Sequence, residues 1–232
     1  MKNKFWVWGF FTLLLVLAIL VGGYLKANVC ALRGPGNLFI RQQASNYQNY
    51  RTAFLSQRAG FKAHGFSAYS FHLDLKNPHI IITTLKCSDL QKGLAFVRGP
   101  ELEAALGKAG ARIPEVWYGL DTTPRHYDGL PKKPAGIVIA RNEVKDYPFW
   151  LKCFYAEDGG KHNHPGRHYK NSAYSIHHLP GNPAIAIVVH EASNVSKAPP
   201  FMVSDPMVGE MESTGVVGLQ LWYGVNMDEG TF

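Results

Sequence analysis

Cysteine is scarce in this chain. Cys30, Cys87 and Cys153 are the only three among 232 residues, too few for a disulfide framework. Their odd count leaves at least one thiol without an intrachain partner. A Cys87–Cys153 bridge stays open on sequence grounds. No CxxC occurs, which removes zinc-knuckle and thioredoxin-type sites. Charge is sparse as well, at 18% of residues. The net charge of +7 comes from scattered positions, with no Lys/Arg block longer than Lys132-Lys133. A solvated, mildly basic surface is expected, and no nucleic-acid partner. GxSxG, P-loop, Rossmann and HExxH motifs are all missing, so no nucleotide cofactor is expected and hydrolase or zincin readings have no motif behind them. The chain is nevertheless 46% hydrophobic, which is the composition of a packed protein and not of a disordered one.

Long apolar runs are equally rare: there is one. Phe5 to Tyr24 carries no charge and follows Lys2 and Lys4. As a helix, twenty residues span ~30 Å, the thickness of a bilayer's hydrocarbon core. Trp6, Trp8 and Tyr24 sit near its ends, where aromatic rings favour the interface. Residues 1–27 are therefore expected to form a membrane anchor, with an N-terminal signal as the alternative. The expected protein is single-pass, its body on the periplasmic or extracellular side, with the lipid bilayer as a partner.

The body is written twice. "SAYSFHLDLKNP" begins at Ser67 and "SAYSIHHLPGNP" at Ser172, 105 positions later and identical at 7 of 12. "EVWYGLD" from Glu115 answers to "QLWYGVN" from Gln220 at the same offset. Upstream, "NYRTAF" at Asn49 lines up with "FWLKCF" at Phe149, only 100 apart, so five residues were inserted in the second copy. The His-rich "EDGGKHNHPGRH" is the place for them. Two copies imply a pseudo-symmetric pair. Each reads as strand, helix, two strands, helix, strand, the ferredoxin-like βαββαβ order. One such sheet leaves a face open; two can bury those faces against each other and close a barrel with helices outside. The expected class is α+β: two ferredoxin-like repeats in an intramolecular α+β barrel, preceded by one transmembrane helix. The expected map is residues 36–121 for the first repeat, 122–134 for a Pro-rich linker, 135–226 for the second repeat and 227–232 for a loose tail.

The run "NPHIIITTLKCSDLQKGLAFVRGPELEAALGKAGARIPEVWYGLD", with "VKDYPFWLKCF" in the second copy, resembles the antibiotic-biosynthesis-monooxygenase-like proteins of the dimeric α+β barrel superfamily. Its marks are an Asn-Pro turn before an apolar strand, an acidic-capped helix, a "PEL" helix ending in Ala-Gly, and a closing aromatic strand. The resemblance spans about 38–121 and 136–226. It implies the fold; among activities the family includes cofactor-independent monooxygenases and haem-degrading enzymes. The latter place a histidine on the second helix, and neither 89–109 nor 194–214 contains one, so haem degradation is not expected.

Ten histidines are the unusual polar feature. Strand alternation turns Tyr69 and Phe71 one way and Ser70 and His72 the other, and likewise sets Ser175 and His177 opposite Ile176. If the apolar set meets the helices, His72, His177, Ser70 and Ser175 face the space between the copies as proton carriers or ligands, or else serve as hydrogen-bonded structural residues. Trp150 and Asn142 join them as candidate ligand-pocket residues for a small aromatic molecule. His162, His164 and His168, with His178, form a candidate copper or zinc site in the His-rich loop. Two function classes follow. One is a membrane-anchored, non-catalytic subunit or binding module, of a membrane redox complex for example, and the sequence leans to it slightly. The other is a monooxygenase-like enzyme acting without a cofactor on a small aromatic or quinone-like substrate. An open pocket reached by His72 or His177 favours the enzyme, and a filled one the subunit.

Overall fold

Asn46 opens the first helix, just past the first strand. Its backbone is extended, and its side-chain oxygen accepts from the amides of Gln48 and Asn49, satisfying two donors that the helix leaves free. Asp89 does the same for a later helix through Lys92 N at 3.0 Å. Pro100 stands at a first-turn position, and Gly110 ends that helix with φ of +73°, a conformation that glycine adopts without strain. Asp146 caps the corresponding helix of the second half through Phe149 N.

The computed structural model describes residues 32–122, 134–158, 173–179 and 181–232. The first half runs β1 (Gly36–Gln43), α1 (Tyr47–Ser56), α2 (Arg58–Ala63), β2 (Phe66–Asp74), β3 (Ile80–Cys87), α3 (Leu90–Val97), α4 (Pro100–Lys108) and β4 (Glu115–Asp121). The second runs β5 (Gly136–Val144), α5 (Tyr147–Asp158), β6 (Ala173–His178), β7 (Ile185–Ala192), a 3-10 turn (Val195–Lys197), α6 (Ala198–Met202), α7 (Asp205–Ser213) and β8 (Val216–Thr231). All eight strands close into one antiparallel barrel, in the order β1-β3-β2-β8-β5-β7-β6-β4. The first half supplies β4-β1-β3-β2 and the second β8-β5-β7-β6. They meet at two seams. β2 and β8 pair through seven residues, whereas among the described residues β4 and β6 pair at Leu120–His178 and Asp121–His177, with Thr122 N donating to Ile176 O at 3.2 Å beside them.

Strand alternation sorts the side chains into layers. Outward-facing residues of the first half, among them Leu38, Ile40, Phe71 and Leu85, pack with Tyr50, Phe54 and Phe61 of the helices. Phe54 stacks on Phe61 at 4.4 Å and meets Phe71 edge-on at 5.1 Å. Each fully buried ring of this kind stabilises by about 1.5–3 kcal/mol through area alone. In the second half Val138, Ala140, Ala186 and Val188 face the helices instead. The barrel interior holds Phe39, Ile82, Ile137, Ile139, Ile185 and Ile187 around Trp117 and Trp222, whose rings stack at 3.6 Å.

Two expectations are corrected, and one open point is closed. Among the described residues no helix is long and apolar enough to cross a membrane. This overturns the single-pass placement, and nothing among the described residues supports the bilayer or membrane-complex partners. The run Phe5–Tyr24 on which that placement rested lies outside the described residues. The tail is not loose: β8 continues to Thr231, and Phe232 stacks on Phe61 at 4.6 Å. Cys87 and Cys153 are not bridged; Cys87 is buried beneath the first half's helices, and burial pushes its thiol up to about 12.

Candidate active site

The Trp117–Trp222 pair and its isoleucines do not fill the barrel. Beyond Phe39, Ile137 and Val189 the interior opens into a cavity of about 880 Å³, lined among others by Ser70, His72, Asp121, Ser175, His177 and Asn226. His72 and His177 are each 2% exposed, so four of the residues expected at a ligand pocket do meet there.

Two glycines make room for the imidazoles. A Cβ at Gly119 would stand 2.7 Å from His177 Cβ, and one at Gly224 would stand 2.6 Å from His72 Cβ. Real Cβ atoms do not approach so closely, which explains a glycine after the aromatic pair in both "WYGLD" and "WYGVN". Phe39 meets the His177 ring edge-on at 5.2 Å and fixes its plane.

The second-half imidazole is held at both ends. His177 Nδ1 lies 3.0 Å from Asp121 Oδ1, and Nε2 lies 2.9 Å from Ser175 Oγ. An ionised carboxylate can only accept, so Nδ1 carries a proton, and in the neutral ring Nε2 accepts from the serine hydroxyl. Asn37 also donates to Asp121. Burial alone would raise the Asp121 carboxyl, but the His177 hydrogen bond and charge, Asn37 and Lys86 together hold it below the usual carboxylate range. A buried base, oriented by a carboxylate and opening onto a cavity, can take a proton from a bound molecule.

The first half differs at two points. His72 Nε2 lies 2.9 Å from Ser70 Oγ, but Asn226 occupies the place that Asp121 holds beside His177. The amide makes no well-formed bond to the ring: His72 Nδ1 and Asn226 Oδ1 are both buried without a hydrogen-bond partner among the described residues. Burial pushes the His72 pKa down to about 4, against a weaker pull upward from Asn226. Ser70 is also shared with Thr84. The residue 105 positions after Thr84 is Val189, which pairs with Ser175 across the sheet and offers it no hydroxyl.

Other expected site residues lie elsewhere. Asn142 and Trp150 are separated from the barrel interior by the sheet. They line a cavity of about 50 Å³ against the second half's helices, with His190, Met202, Met207 and Met211, a space for roughly one or two waters. His178 points away from its neighbour His177 and packs on Tyr147 at 4.7 Å, and burial lowers its pKa. His162, His164 and His168 lie outside the described residues. Among the described residues no group of three His, Cys, Asp or Glu could hold a metal ion, and none of their helices carries a histidine that could ligate a haem.

Sequence reasoning missed Asp121, Asn226, Asn37 and the two glycines. The signal was present in the repeated "WYGLD" and "WYGVN", whose last residues differ only as acid and amide. What was absent was the β4–β6 pairing that carries Asp121 to His177.

No known family model and no curated protein matches this chain in sequence. Solved structures do match in shape. An anthrone oxidase-like protein superposes with a TM-score of 0.55 at 8% identity, covering 87% of this chain and 94% of that one. A protein designated a monooxygenase from Fusobacterium nucleatum gives 0.53 at 6% identity, over 86% and 95% of the two chains. A variant chlorite dismutase from Candidatus Nitrospira defluvii gives 0.52 at 12% identity, over 84% and 92%. At such identities the likeness concerns fold alone: this chain folds like the monooxygenase-like and chlorite dismutase-like proteins of the dimeric α+β barrel superfamily.

Proposed function

We propose that the chain is a tandem pair of ferredoxin-like units closed into one barrel. We propose further that its cavity is the active site of an enzyme similar to cofactor-independent monooxygenases. The duplication is supported by the matching strand orders of the two halves and by the phrases that recur 100 and 105 residues apart. The enzymatic reading rests on one observation: a buried His177–Asp121 pair at 3.0 Å whose outer nitrogen, through Ser175, opens onto an 880 Å³ cavity. An interior left open favours a site for a small molecule over a barrel filled by its own side chains.

The substrate is a small aromatic molecule with an acidic O–H or C–H, such as an anthrone, in keeping with one structural neighbour's description. His177 Nε2 takes that proton in place of the Ser175 hydroxyl, and Asp121 stabilises the resulting imidazolium. The substrate carbanion adds dioxygen, the resulting peroxide takes back the proton from His177, and its O–O bond breaks so that one oxygen stays as the new carbonyl while the other leaves as water with that carbon's remaining hydrogen. His72, kept neutral by burial, offers a hydrogen bond to the far end of the ligand. Phe39, Ile137 and Val189 form the apolar floor.

Oxygen uptake by the full chain with an anthrone tests this reading. Uptake should require the protein and fall ~10²–10⁴-fold in His177→Gln. No uptake, together with no change in tryptophan fluorescence when the anthrone is added, would sink it.

A further inference from the structure

We propose that Ser175 is a nucleophile and that the second half of the cavity carries acyl transfer from esters or thioesters of small apolar acids. The proposal rests on the reading of His177–Asp121 as proton acceptor and adds a second chemistry to that pair. No strand-to-helix GxSxG elbow is present, but a nucleophile–base–carboxylate set is recognised by geometry and roles, on any fold. Three groups stand in line here: Ser175 Oγ at 2.9 Å from His177 Nε2, and His177 Nδ1 at 3.0 Å from Asp121 Oδ1.

The first half serves as an internal comparison. It holds the same serine and histidine at the same strand positions, yet it lacks two things. Its histidine faces the amide of Asn226, which cannot stabilise an imidazolium as a carboxylate does. Its serine is engaged by Thr84, where the second half has the apolar Val189 lining the cavity. Either difference alone would be a chance substitution. Together they leave Ser175, and not Ser70, with a hydroxyl committed to a carboxylate-oriented base.

The step balances within the site. Ser175 Oγ bonds to the acyl carbon as its proton passes to His177 Nε2. The bond to the leaving alcohol or thiol breaks, and that group departs with the proton. Water then attacks the acyl-serine, gives a proton through His177 back to Oγ, and releases the acid. No oxidant is involved.

A fluorophosphonate probe tests the proposal on the full chain, with the adduct located by peptide mass spectrometry. Phosphonylation of Ser175 with loss of fluoride is expected, with Ser70 unlabelled. Asp121→Asn and His177→Gln should each slow labelling by about 100-fold or more, at a melting temperature that shows the fold intact. Absence of a Ser175 adduct overturns the proposal, as does labelling indifferent to Asp121→Asn or equally fast at Ser70. Oxygen uptake with anthrone but no label removes the nucleophile alone; label without oxygen uptake removes the oxidative reading alone.

Discussion

Asp121 Oδ1 and His177 Nδ1 lie 3.0 Å apart on adjacent strands of different halves of the chain. Asp121→Asn keeps the shape of this contact and removes its charge. The His177 ring then loses the partner that stabilises its protonated form, and proton-transfer activity should drop ~10²–10⁴-fold. Steady-state rates across pH check this: the variant's loss should exceed any loss in ligand affinity.

Asn226→Asp gives His72 the carboxylate it lacks. An opposite charge within reach of an imidazole favours the charged form, so the His72 pKa should rise from about 4. The expected rise is ~1–3 units, read from the ring proton shifts in an NMR titration. An unmoved titration would show that Asn226 does not address the ring.

His72 also sets an acid limit on stability. The folded state holds the ring neutral down to about pH 4, while the unfolded chain takes up a proton near pH ~6.5. Between those values the unfolded state binds more protons, so stability rises with pH and is fully present above ~6.5. It is lost as pH falls toward 4, by an amount on the order of 3 kcal/mol. Urea unfolding at pH 4.5 and 7 should show a smaller difference for His72→Gln than for the parent chain.

Glycine substitutions separate site packing from backbone freedom. Gly119→Ala drives a methyl against His177 Cβ and should destabilise by roughly 1–3 kcal/mol while slowing any chemistry at His177. Gly107→Ala, in α4, meets nothing within 4 Å and should stabilise by about 0.5–1 kcal/mol. Thermal melts of the two variants should move in opposite directions.

Much of the framework is legible in the residues, and for local reasons. Asn46, Asp89 and Asp146 cap helices through their own side chains, and Asn77 and Asn182 turn the chain by accepting from His79 and Ala184 amides. The inward turn of His72 and His177 follows from strand alternation. The same alternation excludes Asn142: Ile137 and Ile139 enter the barrel, so Val138, Ala140 and Asn142 face the helices. Asp121 could not be placed because its role depends on which strands meet at the seam, and pairing between distant strands leaves no local trace. The end of β8 reads as a tail because "MDEGTF" is polar by composition. Its pairing with β2 and the anchoring of Phe232 are tertiary facts.

The barrel is a hoop with one thin splice. Among the described residues β4 and β6 share two rungs, against seven between β2 and β8, and one of those two is Asp121–His177. Backbone amides around this splice should exchange with deuterium ahead of those elsewhere in the hoop. When the splice parts, the acid leaves the imidazole; when it re-forms, the pair is restored. The proton acceptor and its acid thereby come together only where the two halves of the chain complete the ring.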